Sequence, residues 1–148
     1  MAEQTFLMIK PDGVQRGLIG NIISRLEQKG YRLAAMKMIQ ISPELARQHY
    51  AEHVDKPFFS EMSNFITSSP VVAMVWEGEQ VVTAMRTLMG STNPNTAAPG
   101  TIRGDLGKTI SQNLIHGSDS IEAAEREIGL FFRDGEILNY QRDIERWI

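Results

Sequence analysis

The sequence predicts a mixed domain, α/β or α+β, in which strands and helices alternate. Apolar runs of strand length take turns with apolar stripes at helical spacing, and Gly, Pro, Asn and Asp mark the joins. The length, 148 residues, suits one domain spanning 1–148. Periodicity alone does not say whether the sheet is parallel.

Thr5 to Ile9 reads as a buried strand that ends in a turn at Pro11-Asp12-Gly13. Leu18, Ile19, Ile22, Ile23 and Leu26 recur at helical spacing, and Gly30 supplies the stop. Tyr31 to Ile41 reads as a second strand. Ser42-Pro43 is an N-cap with proline in the first helical position, so a helix follows. Phe58, Phe59, Met62, Phe65 and Ile66 form another helical stripe, Pro70 to Trp76 a valine-rich third strand, and Val81, Val82, Met85 and Met89 a further helix. From Gly90 to Gly107 the periodicity stops, and Ser91 to Gly100 has turn and loop chemistry. A loop of that length in a compact domain is usually functional or disordered. Asn113 to His116 is the candidate for a short fourth strand. Ser120 then caps a helix on which Ile121, Ala124, Ile128 and Phe131 share a face.

Composition removes several function classes. Hydrophobic residues make up 42% and charged residues 22%, enough to bury a core without disulfides or a structural metal. Zero cysteines exclude thiolate zinc sites, iron–sulfur clusters and cysteine nucleophiles, and are compatible with a reducing compartment. The longest apolar run, Val71 to Trp76, is too short to span a membrane. The opening Met-Ala-Glu-Gln-Thr is not a basic leader, so the expected location is cytoplasmic. Net charge is −3, with no basic excess of the kind a dedicated nucleic-acid binder shows. Ten of the fifteen bases are arginine, suited to holding a small anion.

Two short patterns look like chemistry and fail on context. Gly107-Lys108-Thr109 resembles the end of a P-loop, but Ile102 stands where the first glycine belongs. His49-Tyr50-Ala51-Glu52-His53 matches H-x-x-E-H of a zinc protease class, but it lies near the end of a short helix, and a zinc site also needs a third protein ligand and a deep cleft. Two exposed histidines are expected there.

Asn113-Leu114-Ile115-His116-Gly117-Ser118-Asp119-Ser120 is different. His116 lies between an apolar strand-like stretch and a polar helix start, beside a glycine that adds little bulk. The polar loop upstream is flanked by Arg86 and Arg103. Downstream, Glu127 sits at the edge of the apolar face of its helix, where a carboxylate needs a partner. Glu122 and Arg126 fall on the outward face as an expected i,i+4 pair.

The octet resembles the N-x-x-H-G-S-D signature of the nucleoside diphosphate kinases. Other stretches similar to that family occur in order: Thr5 to Val14, His49-Tyr50, Lys56 to Phe59, Gly90 to Pro94 and Pro99 to Asp105. The resemblance runs from Thr5 to Trp147. It implies an α+β fold, a ferredoxin-like four-stranded antiparallel sheet covered by helices. It implies ping-pong transfer of the γ-phosphate of a nucleoside triphosphate to a histidine, here His116, and on to a nucleoside diphosphate. Neutral imidazole, with an ordinary pKa of about 6.5, suits a nucleophile at pH 7. The family is phosphorylated on Nδ1, so the other ring nitrogen needs an acceptor, with Glu127, Ser118 and a backbone carbonyl as candidates.

By the same resemblance Lys10, Arg86 and Arg103 are the phosphate-neutralising cations, and Tyr50 and Thr92 add hydroxyl bonds. Lys10 and Asn113 reach the sugar. Phe58 stacks on the base with Ile110 opposite, a contact worth roughly 1–3 kcal/mol and tolerant of base identity. Mg2+ arrives on the nucleotide, with Asp119 accepting from one of its waters. Partners are nucleoside tri- and diphosphates and further copies of the chain, as a homohexamer or alternatively a homotetramer. Family members commonly continue past Trp-Ile with Tyr-Glu, so an ending at Ile148 implies weaker contacts between subunits. Two other classes compete: a non-catalytic binding module, which needs no nucleophile at His116, and the zinc hydrolase suggested by His49 and His53.

Overall fold

The computed structural model describes residues 3–148. Its elements run β1 (Glu3–Ile9), α1 (Pro11–Gln15), α2 (Ile19–Gln28), β2 (Arg32–Ile39), α3 (Pro43–His49), α4 (Phe59–Ile66), β3 (Val71–Gly78), α5 (Val81–Met89), α6 (Ile102–Leu106), β4 (Ile115–Gly117) and α7 (Ile121–Phe131). Three short 3-10 pieces lie at Ala51–His53, Asp134–Glu136 and Asp143–Trp147. The strands form one sheet in the order β2-β3-β1-β4, every pairing antiparallel. The ferredoxin-like arrangement implied by the resemblance is the one observed.

Strand periodicity divides the interior into two cores. Leu7 and Ile9 of β1 face one side with Val72, Met74 and Trp76 of β3, under Ile22 and Leu26 of α2 and Val81, Met85 and Met89 of α5. Phe6 and Met8 face the other with Val71, Ala73 and Val75, under Ala46 of α3, Ile66 of α4 and Phe131 of α7. Helices on both faces explain why the central strands are apolar throughout and do not alternate.

Four local expectations need correction. Pro11-Asp12-Gly13 is not a simple turn: Pro11 starts α1, where its fixed φ and missing N–H cost nothing. The stretch Gly90 to Gly107 is not all loop. It contains α6, capped by Thr101, whose Oγ1 accepts from the Gly104 amide; five residues are too few to show a period. The fourth strand runs Ile115–Gly117, because Leu114 has a positive φ of 76° and cannot join a strand. Arg126 does not pair with Glu122. Its guanidinium donates to the carbonyls of Gln48 and His49, which ties α7 to the end of α3.

Candidate active site

Register places the histidine. His116 on β4 lies opposite Met8 on β1, so its side chain falls on the Phe6 and Met8 face, beneath α3 and α7. A slip of one residue would send it into the other core. On α7, Ala124, Glu127 and Phe131 recur at i, i+3 and i+7 and are buried, which carries the Glu127 carboxylate inward to meet it. His116 Nε2 donates to Glu127 Oε1 at 2.8 Å, and Ser118 Oγ donates to the same oxygen at 2.6 Å. Of the three acceptors the sequence left open, Glu127 is the one bonded to the ring, and Ser118 acts on Glu127. Burial pushes the Glu127 carboxyl up, but the bonds from His116 and Ser118 outweigh it and hold its pKa below the ordinary value. Nδ1 of His116 makes no hydrogen bond to the described residues.

A cleft of about 720 Å³ opens beside this pair. Lys10, Tyr50, Phe58, Arg86, Thr92, Arg103, Ile110, Asn113 and Asp119, the residues singled out by resemblance, all line it together with His116 and Glu127; Ser118 lies buried behind. Lys10 Nζ donates to Asn113 Oδ1 at 2.9 Å, and Asn113 Nδ2 donates to the Thr92 carbonyl at 3.0 Å. Burial, then the neighbouring Arg103, bring the Lys10 pKa down to about 8, with Asp12 opposing. Burial and the Glu127 charge push the Tyr50 hydroxyl up to about 12, so it remains a neutral donor.

Arg103 is 5% exposed. Its Nε donates to the Asn113 carbonyl at 3.2 Å, Nη1 to Gly90 at 3.1 Å, and Nη2 to Ile115. Three of its five N–H groups are therefore spent on backbone, and two remain. Burial, with Arg86 nearby, lowers its pKa to about 10, still charged at neutral pH. Arg86 donates to the Gly117 carbonyl at 3.1 Å from the exposed end of α5. Phe58, 45% exposed, and Ile110, 56% exposed, present apolar surface to the cleft, so Phe58 is not spent on core packing with Phe59.

His49 is the residue the sequence misplaced. It is 4% exposed, not a surface histidine, and its ring stands edge-on to that of His116 with centroids 4.7 Å apart. Burial, then His116, depress its pKa to about 3. His53 is half-buried and lies 5.5 Å from the Phe58 ring. The signal was present: Leu45, Ala46 and His49 share a helix face at i, i+1 and i+4. Asp12 and Arg126, which hold backbone around the cleft, were missed as well, because their partners lie more than seventy residues away.

His49, His116 and Glu127 each offer a donor atom within 4.8 Å of the others. That set is nitrogen-rich, closed by an existing hydrogen bond and ringed by Lys10 and Arg126, which suits no hard oxygen-seeking cation. Asp119, exposed at the cleft, offers a carboxylate that can accept a hydrogen bond from a water of a hydrated Mg2+.

The model of the family described as nucleoside diphosphate kinase matches residues 3–137. The chain belongs to the nucleoside diphosphate kinase family. It is 59% identical over 146 residues to a nucleoside diphosphate kinase of Bacillus thuringiensis, covering 99% of both chains. It is 61% identical over 147 residues to one of Natronomonas pharaonis, covering 99% of this chain and 96% of that one. A solved nucleoside diphosphate kinase from Halobacterium salinarum, in complex with CDP, superposes with a TM-score of 0.96 at 56% identity, covering 99% of this chain and 98% of that one. As a member of the nucleoside diphosphate kinases, the enzyme transfers a terminal phosphate from a nucleoside triphosphate to a nucleoside diphosphate. No helix among the described residues is long and apolar enough to cross a membrane.

Proposed function

We propose that the chain acts as one domain over residues 1–148 and moves the γ-phosphate by a ping-pong mechanism through a phosphohistidine at His116. The observation that carries this reading is the ring's asymmetry. Nε2 is tied to buried Glu127, while Nδ1 makes no hydrogen bond to the described residues and lies at the cleft that Lys10, Arg86 and Arg103 line. Glu127 fixes ring orientation and tautomer by the logic of a triad carboxylate. The Nδ1 lone pair attacks the γ-phosphorus as the bond to the β,γ-bridging oxygen breaks, and the diphosphate leaves with that electron pair. A second diphosphate then attacks phosphohistidine through its terminal oxygen, and Nδ1 regains its lone pair.

Lys10, Arg86 and the two remaining N–H groups of Arg103 neutralise the transferred group, and the Tyr50 and Thr92 hydroxyls hold it in line. Asn113 and Lys10 meet the sugar. Asp119, exposed at the cleft, would accept a hydrogen bond from a water of Mg2+ arriving with the nucleotide, and that ion would supply further charge neutralisation at the phosphates. Stacking between Phe58 and Ile110 accepts every base, with purines favoured by ring area; a preference beyond about a thousandfold among the four common diphosphates would need a hydrogen-bonding pocket. The working location is cytoplasmic.

Assembly is a homohexamer of three dimers, with a homotetramer as the alternative. Met36 and Met38, 52% and 57% exposed on edge strand β2, support a contact that covers that edge. Sedimentation equilibrium tests this: a mass that stays at 16.6 kDa across the micromolar range overturns it.

The chemical test is incubation with γ-labelled triphosphate and Mg2+. An acid-labile, base-stable phosphoprotein is expected, discharged by added diphosphate and absent from a folded His116→Ala variant. Stoichiometric labelling of that variant overturns the assignment.

A further inference from the structure

Leu114 stands two residues before the histidine in an unusual conformation. Among the described residues it and Gln80 are the non-glycine residues with positive φ, and Gln80 caps a helix at the surface end of α5. Leu114 is fully buried in the core under α2 and α5. The left-handed region is rarely occupied by a bulky residue without something to hold it. Two bonds do so. Its amide donates to Asp12 Oδ2 at 3.1 Å, and its carbonyl accepts from the Lys10 amide at 2.8 Å. The turn is pressed against α1: a Cβ on Gly13 would come within 3.1 Å of the Leu114 carbonyl and 2.7 Å of Ile9 Cγ2.

The neighbours of Leu114 are cleft parts. Asn113 on one side takes Lys10 Nζ, and Ile115 on the other gives its carbonyl to Arg103. Asp12 is half-buried; its second oxygen, Oδ1, is buried without a hydrogen-bond partner among the described residues, while its own amide and that of Gly13 favour the charged carboxylate against burial. An unpaired buried carboxylate oxygen is costly, and here it lies on the residue next but one to Lys10.

We propose that Asp12 is a positioning residue for the transfer reaction: its carboxylate clamps the left-handed turn at Leu114 and thereby sets Asn113 and Lys10 toward the phosphates. This rests on the reading of Lys10 and His116 given above. The clamp has a geometric part, the bond to the Leu114 amide, and an electrostatic part, the charge beside Lys10. Burial and Arg103 drive Lys10 toward its neutral form, and Asp12 opposes them. The other charged side chains lining the cleft that Lys10 faces, which His49 and His116 also line, are Arg86, Arg103 and Arg126 and the acids Glu52, Glu61, Asp119 and Glu127; of the charges around it, Arg103 and Asp12 are the ones that bear on Lys10.

The two parts separate by substitution. Asp12→Asn keeps an oxygen for the Leu114 amide and removes the charge. Asp12→Ala removes both. With Asp12→Asn, kcat at pH 6.5 should stay within threefold of wild type. The alkaline fall of kcat/KM should move down by half a pH unit or more, because Lys10 loses its proton earlier. With Asp12→Ala, kcat/KM should fall at least tenfold at pH 6.5, mainly through a raised nucleotide KM. Hydrogen exchange at the Leu114 amide should accelerate in the alanine variant alone. NMR of lysine side chains in the nucleotide-free protein reads the charge effect without activity: the Lys10 titration should begin near pH 8 and drop in Asp12→Asn. Superimposable Lys10 titrations in wild type and Asp12→Asn would overturn the electrostatic part. An asparagine variant as impaired as the alanine one at pH 6.5 would overturn the geometric part. If the alanine variant does not fold, a kcat in Asp12→Asn that falls by more than threefold at pH 6.5 overturns the geometric part, and the Lys10 titration still decides the electrostatic one. Failure of His116 as nucleophile would show in the labelling experiment and leave both NMR readouts unchanged.

Discussion

Removing the Glu127 carboxylate measures how much of the transfer depends on holding the histidine ring. In Glu127→Ala the Nε2–H of His116 and the hydroxyl of Ser118 both lose the acceptor they share at 2.8 and 2.6 Å. Ser118 has a fallback in the Phe6 carbonyl at 3.4 Å, so the uncompensated loss is the bond to the ring. A hydrogen bond to a charged acceptor is worth about 1.5–3 kcal/mol, and each 1.36 kcal/mol is tenfold in rate. The rate of phosphoenzyme formation should therefore fall about 10- to 150-fold. Glu127→Gln keeps an oxygen at the same place and should lose about tenfold or less. Rapid-quench single turnovers with labelled triphosphate give the rate directly. A loss in Glu127→Ala as complete as in His116→Ala, or no loss at all, would refute the orienting role. Stability adds a second reading. The folded carboxyl titrates below its ordinary 4.5, so its contribution is present above about pH 4.5 and is lost as pH falls through the folded value. The stability gap between wild type and Glu127→Gln should accordingly narrow in acid.

Two further outcomes test packing and burial. A Cβ on Gly104 would overlap the Ala98 carbonyl, whereas Gly129 in α7 has open space around it. Gly104→Ala should cost about 1–3 kcal/mol and Gly129→Ala should gain about 0.5–1 kcal/mol, read from denaturant unfolding; the opposite order would contradict the packing around α6. The His49 ring, held down to about 3 by burial, should stay neutral in NMR titrations from pH 8 to 5. Because the unfolded chain takes up that proton below about pH 6.5 and the folded one does not, stability should decline as pH falls below 6.5, and His49→Phe should flatten that slope. A His49 midpoint near 6.5 would sink the argument.

Much of the fold was legible because strands and helices announce themselves over short windows. The valine-rich Pro70 to Trp76, the stripe Val81 to Met89 and the Ser120 cap each carry their own local signal, and all three became elements with ends within two residues of those expected. Glu127 was legible for the same reason, as a carboxylate at the edge of an apolar face. The candidate site was named by ordered motifs, not by any reading of distance. What the sequence could not say is who meets whom. Lys10 and Asn113 are 103 residues apart, Asp12 and Leu114 are 102 apart, and no local pattern encodes such a pair. Antiparallel register between β1 and β4 decides it, since Met8 opposite His116 puts the imidazole under α3 and α7. The same packing overruled the local reading of His49, which looked like a surface residue until α3 turned it inward against His116. It also chose Glu127 over a backbone carbonyl as partner of the ring, because only the docking of α7 on the sheet brings a carboxylate within 2.8 Å. Local chemistry fixes which residues form each element, while proximity between elements depends on burying both faces of a sheet at once. That burial is a property of the whole chain.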